Sequence, residues 1–195
     1  MSEQLKPAIV RIFNPFDDIV GGGFLVSERH IITCAHVVNF AVSRSKSNTD
    51  KPNGEITLDF PLIASGLKLK AKVIEWFPPE EFHNLTGKPQ DIAVLALKED
   101  PPARCASTHL VFGDDLWKHD CRAFGFAKFL GRWIPVVARD EVAGRWIQVE
   151  SGETQYALEP GFSGTAVWDN QLIGSDNDLI VAGGVRGVYF LRLER

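Results

Sequence analysis

Short runs of β-branched and aromatic residues recur along the whole chain, separated by clusters of Gly, Pro, Asn and Asp. In one run, residues 67–73, apolar side chains alternate strictly with lysines, which is the period of two expected of a strand with one buried face. No stretch keeps a helical period, so the pattern predicts an all-β protein. The runs are PAIVRIF, GGFLVS, EITLDF, LKLKAKVIEW and DIAVLAL in the first half, and CRAFGFA, WIPVVARD, RWIQVE, TAVWD, LIVAGGV and GVYFLRL in the second.

A charged segment with a Pro-Pro pair, residues 98–107, divides these runs near the middle of the chain. Proline cannot donate to a strand ladder, so the segment is expected to be a connection. We place the boundary between residues 1–104 and residues 105–195, with five or six strands in each half. Two small closed barrels fit this strand count, because closure removes exposed edges. A single large sandwich fits it equally well.

Composition and charge narrow the classes of partner and compartment. The 195 residues carry a formal net charge of -4, which lacks the basic footprint that DNA or RNA binding requires. The chain has no apolar run of about 18 residues and no secretory signal at its N terminus, so we expect neither a membrane span nor export. Its cysteines form no Cys-x-x-Cys pair, which argues against a disulfide framework or thiolate zinc site and favours the reducing cytoplasm. They are Cys34, Cys105 and Cys121.

Three short motifs carry residues suited to nucleophilic catalysis. In GFSGTAVW, Ser163 follows Gly161 and precedes Gly164, and glycines allow the tight turn that presents a serine hydroxyl beside backbone N–H donors. His36 ends HIITCAH, and Asp91 opens the apolar run DIAVLAL. Taken singly, a Gly-x-Ser-Gly segment is more often a Gly-rich hairpin, a histidine after an apolar run a buried structural imidazole, and an aspartate before a strand a strand-start cap. Together they supply a nucleophile, a general base and the carboxylate that orients the base.

The motifs and their order resemble those of the trypsin-like (chymotrypsin-fold) serine peptidases. GGGFLVSERHIITCAHVV is similar to the block that carries that family's histidine, DIAVLAL to its aspartate strand and PGFSGTAVW to its serine turn. The resemblance implies His36 as general base, Asp91 as orienting carboxylate and Ser163 as nucleophile, with the Gly161 and Ser163 amides forming the oxyanion hole. It also implies two six-stranded antiparallel β-barrels, with the site in the cleft between them. No metal or other cofactor is implied.

Two details indicate which branch of the family the chain resembles. Residues 19–22 read IVGG, like the freed N terminus of a zymogen-derived protease, but here they belong to the strand that precedes the histidine turn. Activated zymogens also carry an aspartate just before the nucleophile, where this chain has Phe162. The resemblance is therefore to the intracellular and bacterial branch that needs no zymogen activation.

The family resemblance also implies a substrate pocket. Counting six residues back from Ser163 places Ala157 at its base, and the small residues of IVAGGV form its wall. A pocket without a carboxylate favours an uncharged, small or apolar side chain before the scissile bond. The wall residues are Ala182, Gly183 and Gly184; acidic residues that could instead reach the pocket are Glu153, Glu159, Asp176 and Asp178.

The sequence thus predicts a cytoplasmic, bacterial serine endopeptidase that acts on a dedicated protein target under a regulatory protein or signalling module. The alternative is a catalytically idle protein-binding module on the same fold. An esterase would need Gly-x-Ser-x-Gly with acid and base after the serine, whereas both precede it here. Histidines expected to have no catalytic role are His30, His83, His109 and His119; expected core residues are Cys34, Trp146 and Trp168; and the rivals to Asp91 are Asp59, Asp100 and Asp169.

Overall fold

The computed structural model describes residues 6–79, 91–110, 117–127, 131–142, 146–151, 158–169, 178–179 and 188–191. Its first half is a closed six-stranded barrel in which every neighbouring pair is antiparallel, in the order β1-β2-β3-β6-β5-β4. The barrel confirms the all-β prediction and excludes a single sandwich for this half. Its strands are β1 (Ile9–Phe13), β2 (Ile19–Leu25), β3 (His30–Thr33), β4 (Ile56–Phe60), β5 (Ala64–Phe77) and β6 (Ile92–Leu97).

The apolar alternation in β5 explains which face of the strand is buried. Leu69, Ala71 and Val73 are buried, whereas the lysines between them are exposed. Leu67 departs from the predicted pattern and is exposed, because the pairing of β4 with β5 shifts register between Leu58 and Phe60. The predicted face is therefore confirmed only beyond this irregularity.

A seven-residue helix, α1 (Ala35–Ala41), follows β3 directly. Its sequence carries two adjacent β-branched residues, Val37 and Val38, which have low intrinsic helix propensity. Both are fully buried in the barrel core, so tertiary packing stabilises the helix. A one-turn 3-10 helix, η1 (Lys6–Ala8), precedes β1.

The second half contains a five-stranded antiparallel sheet in the order β11-β8-β9-β10-β13. A separate two-stranded parallel sheet joins β7 to β12. Residues 98–108 contain no strand, which confirms the predicted connection. The strands of this half are β7 (His109–Leu110), β8 (Asp120–Gly125), β9 (Arg132–Val142), β10 (Trp146–Ser151), β11 (Val167–Asp169), β12 (Asp178–Leu179) and β13 (Val188–Leu191).

Three apolar clusters form the core. One fills the first barrel and one packs against the second sheet. The third joins the two halves, since Ile9 and Phe24 of the first barrel pack there with Phe124, Phe126 and Trp168 of the second half. Trp168 is fully buried, as predicted, while the side chain of Trp146 lies outside the described part of the structure. This shared cluster fixes the surfaces that carry the candidate site against each other.

Candidate active site

His36 and Asp91 form a directly hydrogen-bonded pair. The His36 Nδ1 atom lies 2.6 Å from Asp91 Oδ2, and the His36 backbone N–H donates to Asp91 Oδ1 at 2.8 Å. Because a carboxylate only accepts hydrogen bonds, Nδ1 is the donor, and the neutral imidazole keeps Nε2 as its proton acceptor. The imidazole is almost completely buried, and the Asp91 side chain is 21% exposed. This arrangement holds one tautomer of His36 in one orientation.

Backbone contacts place the carboxylate. Asp91 lies immediately before β6 with φ +54°, a left-handed conformation that aspartate adopts more readily than most residues. Its N–H donates to Pro78 O at 3.0 Å, and its carbonyl accepts from Ala35 N at 3.2 Å. The second of these bonds ties the backbone of Asp91 to the start of α1, where His36 is the second residue.

Ser163 lies in a tight turn that packs against the first barrel. Its carbonyl accepts from Gly22 N at 2.9 Å. The next residue, Gly164, has φ +77°, and a β-carbon there would overlap Gly22 O and Thr33 Oγ1 and lie 3.1 Å from Cys34 N. The nucleophile turn therefore lies against the residues that lead directly into His36. Only glycine fits at position 164, because both the conformation and the space exclude a side chain.

The structure brings the three predicted residues together to different degrees. His36 contacts Asp91, and Ser163 is buried beside the same end of β3. Among the described contacts, no hydrogen bond joins the Ser163 hydroxyl to His36. In unliganded enzymes this bond is often long and tightens when substrate binds.

Two backbone amides of the turn are available as donors. Gly161 has φ +107°, and a β-carbon at this position would lie 2.8 Å from the carbonyl carbon and oxygen of Phe126. The Gly161 carbonyl accepts from Phe126 N at 2.9 Å, and the Phe162 N–H donates to Glu159 O at 3.2 Å. In the described part of the chain, neither the Gly161 nor the Ser163 N–H donates to a backbone carbonyl.

The rival aspartates have other partners. Asp59 is fully buried and accepts from the Arg11 guanidinium at 3.0 and 2.5 Å. Exposed Asp100 pairs with Arg29. Asp169, at the end of β11, accepts from His119 Nδ1 at 2.6 Å. Of the four aspartates, only Asp91 lies against His36.

Cys34 is the third group close to the His36–Asp91 pair. Its sulfur and one ligand atom from each of the other two lie within 4.8 Å of one another, a spacing that also suits a metal ion. Burial raises the pKa of the Cys34 thiol well above its usual range, and the negative charge of Asp91 adds to this effect. Both oxygens of Asp91 already accept from His36. The group therefore fits a hydrogen-bonded dyad beside a core thiol better than a metal site.

The predicted pocket residues Ala157, Ala182, Gly183 and Gly184 lie outside the described part of the structure, as do Glu153, Asp176 and the side chain of Asp178. Glu159 is described, and its carboxylate pairs with Arg132 at 3.4 Å.

Sequence reasoning assigned no role to the threonine that holds β2 against the histidine turn. The buried Thr33 hydroxyl donates to Gly22 O at 2.7 Å, so the same short segment, around Gly22, binds both Thr33 and Ser163. The signal was present in the sequence, because Thr33 belongs to the Thr-x-Ala-His block.

The closed first barrel, the second antiparallel sheet packed against it and this site are those of a chymotrypsin-fold serine protease. A family model described as the trypsin-like peptidase domain matches residues 21–174, and the chain belongs to this family. It is a serine endopeptidase, a hydrolase whose substrates are proteins or peptides. No curated protein sequence matches the chain.

Solved structures share the fold at low sequence identity. The M. tuberculosis H37Rv protein Rv3671c, as a mutant in its inactive form, superposes with a TM-score of 0.61 and 19% identity, covering 98% of this chain and 84% of that one. The active form of the Rv3671c protease superposes with a TM-score of 0.58 and 20% identity, covering 98% of this chain and 78% of that one. Kallikrein-related peptidase 10 superposes with a TM-score of 0.62 and 12% identity, covering 96% of this chain and 90% of that one. No helix in the described residues has the length and apolar character needed to cross a membrane.

Proposed function

We propose that the chain cleaves peptide bonds through an acyl-enzyme formed on Ser163, with His36 and Asp91 completing a catalytic triad. The observation that carries this proposal is the His36–Asp91 pair, with Nδ1 bound to the carboxylate. Ser163 Oγ attacks the carbonyl carbon while His36 Nε2 takes the hydroxyl proton. When the C–N bond breaks, His36 returns this proton to the leaving amine, and water repeats the sequence on the ester.

The Gly161 and Ser163 amides stabilise the oxyanion of each tetrahedral intermediate in this scheme. A developing negative charge is best met by donors that are already in place. Support comes from the left-handed conformation of Gly161 and from the absence of a backbone acceptor for either amide among the described residues. We place the two catalytic halves at residues 1–104 and 105–195, with His36 and Asp91 on the first and Ser163 on the second.

The test uses an activity-based fluorophosphonate probe, which reacts only with an activated serine. Wild-type protein should label at one site, and Ser163→Ala and His36→Ala should each abolish labelling while leaving the fold intact. Ser27→Ala is a matched control, because Ser27 Oγ lies 2.7 Å from His30 Nδ1 in an exposed turn. Labelling that survives Ser163→Ala, or is lost in Ser27→Ala, contradicts the assignment.

The alternative is a protein-binding module on the same fold whose catalytic groups are idle. Among the described contacts no hydrogen bond joins Ser163 to His36, which is expected both of an idle module and of an unliganded enzyme. The two functions separate in one experiment, because an idle module does not react with the fluorophosphonate at a concentration that leaves Ser163→Ala unlabelled, whereas the protease does.

We further propose that the enzyme acts in the bacterial cytoplasm as an effector with a dedicated protein target, restrained by a regulatory protein or signalling module. Cys105 and Cys121 carry free thiols in the structure, which suits a reducing compartment. The fold shared with the M. tuberculosis protease is consistent with a bacterial setting. Fractionating a bacterial host and blotting for the native protein tests the compartment.

The pocket formed by Ala157, Ala182, Gly183 and Gly184 accepts an uncharged, small or apolar side chain in this proposal. Support comes from Glu159, two residues after Ala157 in the sequence, whose carboxylate is paired with Arg132. A cleavage-profiling peptide library checks it, and a dominant preference for Arg or Lys before the cut would reject it.

A further inference from the structure

The turn that carries the nucleophile is anchored in the second half of the molecule by Phe162. This side chain is 2% exposed and packs in the cluster to which β8, β9, β10 and β11 contribute. Its backbone N–H donates to Glu159 O, and its carbonyl accepts from Thr165 N, both at 3.2 Å. The ring therefore extends into the core from the residue between the two candidate oxyanion donors, Gly161 and Ser163.

A glycine provides the space for the ring. Gly125 is the last residue of β8, and a β-carbon built there would lie 2.6 Å from Phe162 Cε1 and closer still to Cγ and Cδ1. Gly125 does not have a positive φ, so its conformation would allow alanine. The position requires glycine because the Phe162 ring occupies the volume of a side chain.

Bonds from the residues around Gly125 hold the turn on both sides of Phe162. Phe126 N donates to Gly161 O at 2.9 Å, and the Thr165 hydroxyl donates to Phe124 O. The Arg132 guanidinium lies 5.9 Å from the centre of the Phe162 ring, within the range of a cation–π contact. Residues 124–126 thus contact the turn before, at and after residue 162.

We propose that Phe162, seated on Gly125, is the positioning residue that holds the Gly161 and Ser163 amides in place to bind the oxyanion. The inference rests on the proposed function of Ser163. An apolar ring locked by shape needs no newly released amino terminus to pair with it, so the oxyanion site is complete in the intact chain.

The test is a mutant cycle read by fluorophosphonate labelling, with rate and final extent measured separately. Gly125→Ala pushes the ring away, and Phe162→Ala removes it. Removing one oxyanion donor lowers kcat by about 100- to 1,000-fold. The two variants displace the amides without removing them, so each should slow labelling by about 10- to 100-fold. The final extent should stay near one label per folded molecule, because the serine remains present. In the double variant, Gly125→Ala should add no further loss, since the ring that it displaces is already absent.

Two further variants separate positioning from general destabilisation. Ile56→Val is the control, because Ile56 is fully buried in the core cluster of the first barrel, which does not include Phe162; it should lower the melting temperature but keep the labelling rate. Phe162→Leu should retain more of the rate than Phe162→Ala. This comparison also tests the inference if Gly125→Ala does not fold.

The outcomes distinguish this inference from the proposed function. If wild-type protein does not label, the proposed function fails. If it labels and the Gly125 and Phe162 variants label at the wild-type rate, only the positioning role of Phe162 is overturned. Additive losses in the double variant, or a fall in extent without a fall in rate, overturn it as well.

Discussion

Asp59 and Asp91 should respond in opposite ways to the same substitution. Each is an aspartate of the first barrel with both carboxylate oxygens engaged, but Asp59 binds Arg11 and Asp91 binds His36. We expect Asp59→Asn to lower stability and leave the reactivity of folded molecules unchanged. Asp91→Asn should keep the fold and remove the activity.

The cost at Asp59 follows from its contacts. The carboxylate is fully buried and accepts two bonds from Arg11 and one from Gly66 N at 2.8 Å. Removing one partner of a buried ion pair costs about 3–5 kcal/mol. The Arg11 side chain is 19% exposed, so water can reach part of it. We therefore expect Asp59→Asn to lower the free energy of unfolding by about 2–4 kcal/mol. That loss lowers the melting temperature by about 5–15 °C for a domain of this size.

At Asp91, asparagine fits the backbone equally well, because it also tolerates the left-handed conformation. The amide cannot hold His36 in the tautomer that leaves Nε2 as acceptor. The expected fall in turnover is about 10,000-fold, equivalent to about 5 kcal/mol in the activation barrier.

Fluorescence-monitored thermal melts and fluorophosphonate labelling rates, normalised to the folded fraction, measure both effects on the same samples. Slower labelling of folded Asp59→Asn protein, or labelling of Asp91→Asn at the wild-type rate, would contradict these two roles.

Three smaller predictions follow from other contacts. His119→Ala removes one partner of buried Asp169 and should lower the free energy of unfolding by about 1–3 kcal/mol without changing the labelling rate. An unchanged melting curve would contradict this prediction. Burial raises the pKa of Cys105 to about 11 and that of Cys121 to about 12, so both thiols remain protonated at pH 8. Iodoacetamide should therefore alkylate the folded protein slowly at pH 8 and faster as the pH rises. Rapid loss of activity at pH 8 would point to a thiol nucleophile. Treatment with EDTA should leave the rate unchanged, and inhibition reversed by zinc would reveal a metal requirement.

The strands were predictable because their signal is local. The alternation of Leu69, Ala71 and Val73 with lysines depends only on neighbouring residues and a single buried face. Barrel closure depends on the pairing of β1 with β4, where Arg11 lies opposite Asp59, and no local pattern reports such a distant pair. The sequence therefore left barrel and sandwich open until the family resemblance was considered.

Helix α1 was not predicted, because seven residues with two adjacent valines show neither a helical period nor a strong propensity. The candidate site likewise has a part that the sequence predicts and a part that it does not. The order of His36, Asp91 and Ser163 was visible in the motifs, and the pairing of His36 with Asp91 rather than with Asp59 depends on tertiary contacts. The seating of Phe162 on Gly125 joins two segments that no short motif contains.

The hydrogen bond from Gly22 N to Ser163 O also bears on how the protein folds. The two residues are 141 positions apart in sequence (163 minus 22), and closing a loop of that length costs entropy before its contacts form. Such long-range contacts slow folding. After dilution from denaturant, we expect tryptophan fluorescence to recover before fluorophosphonate reactivity, so that newly synthesised chains pass through a compact state that cannot yet cleave its neighbours.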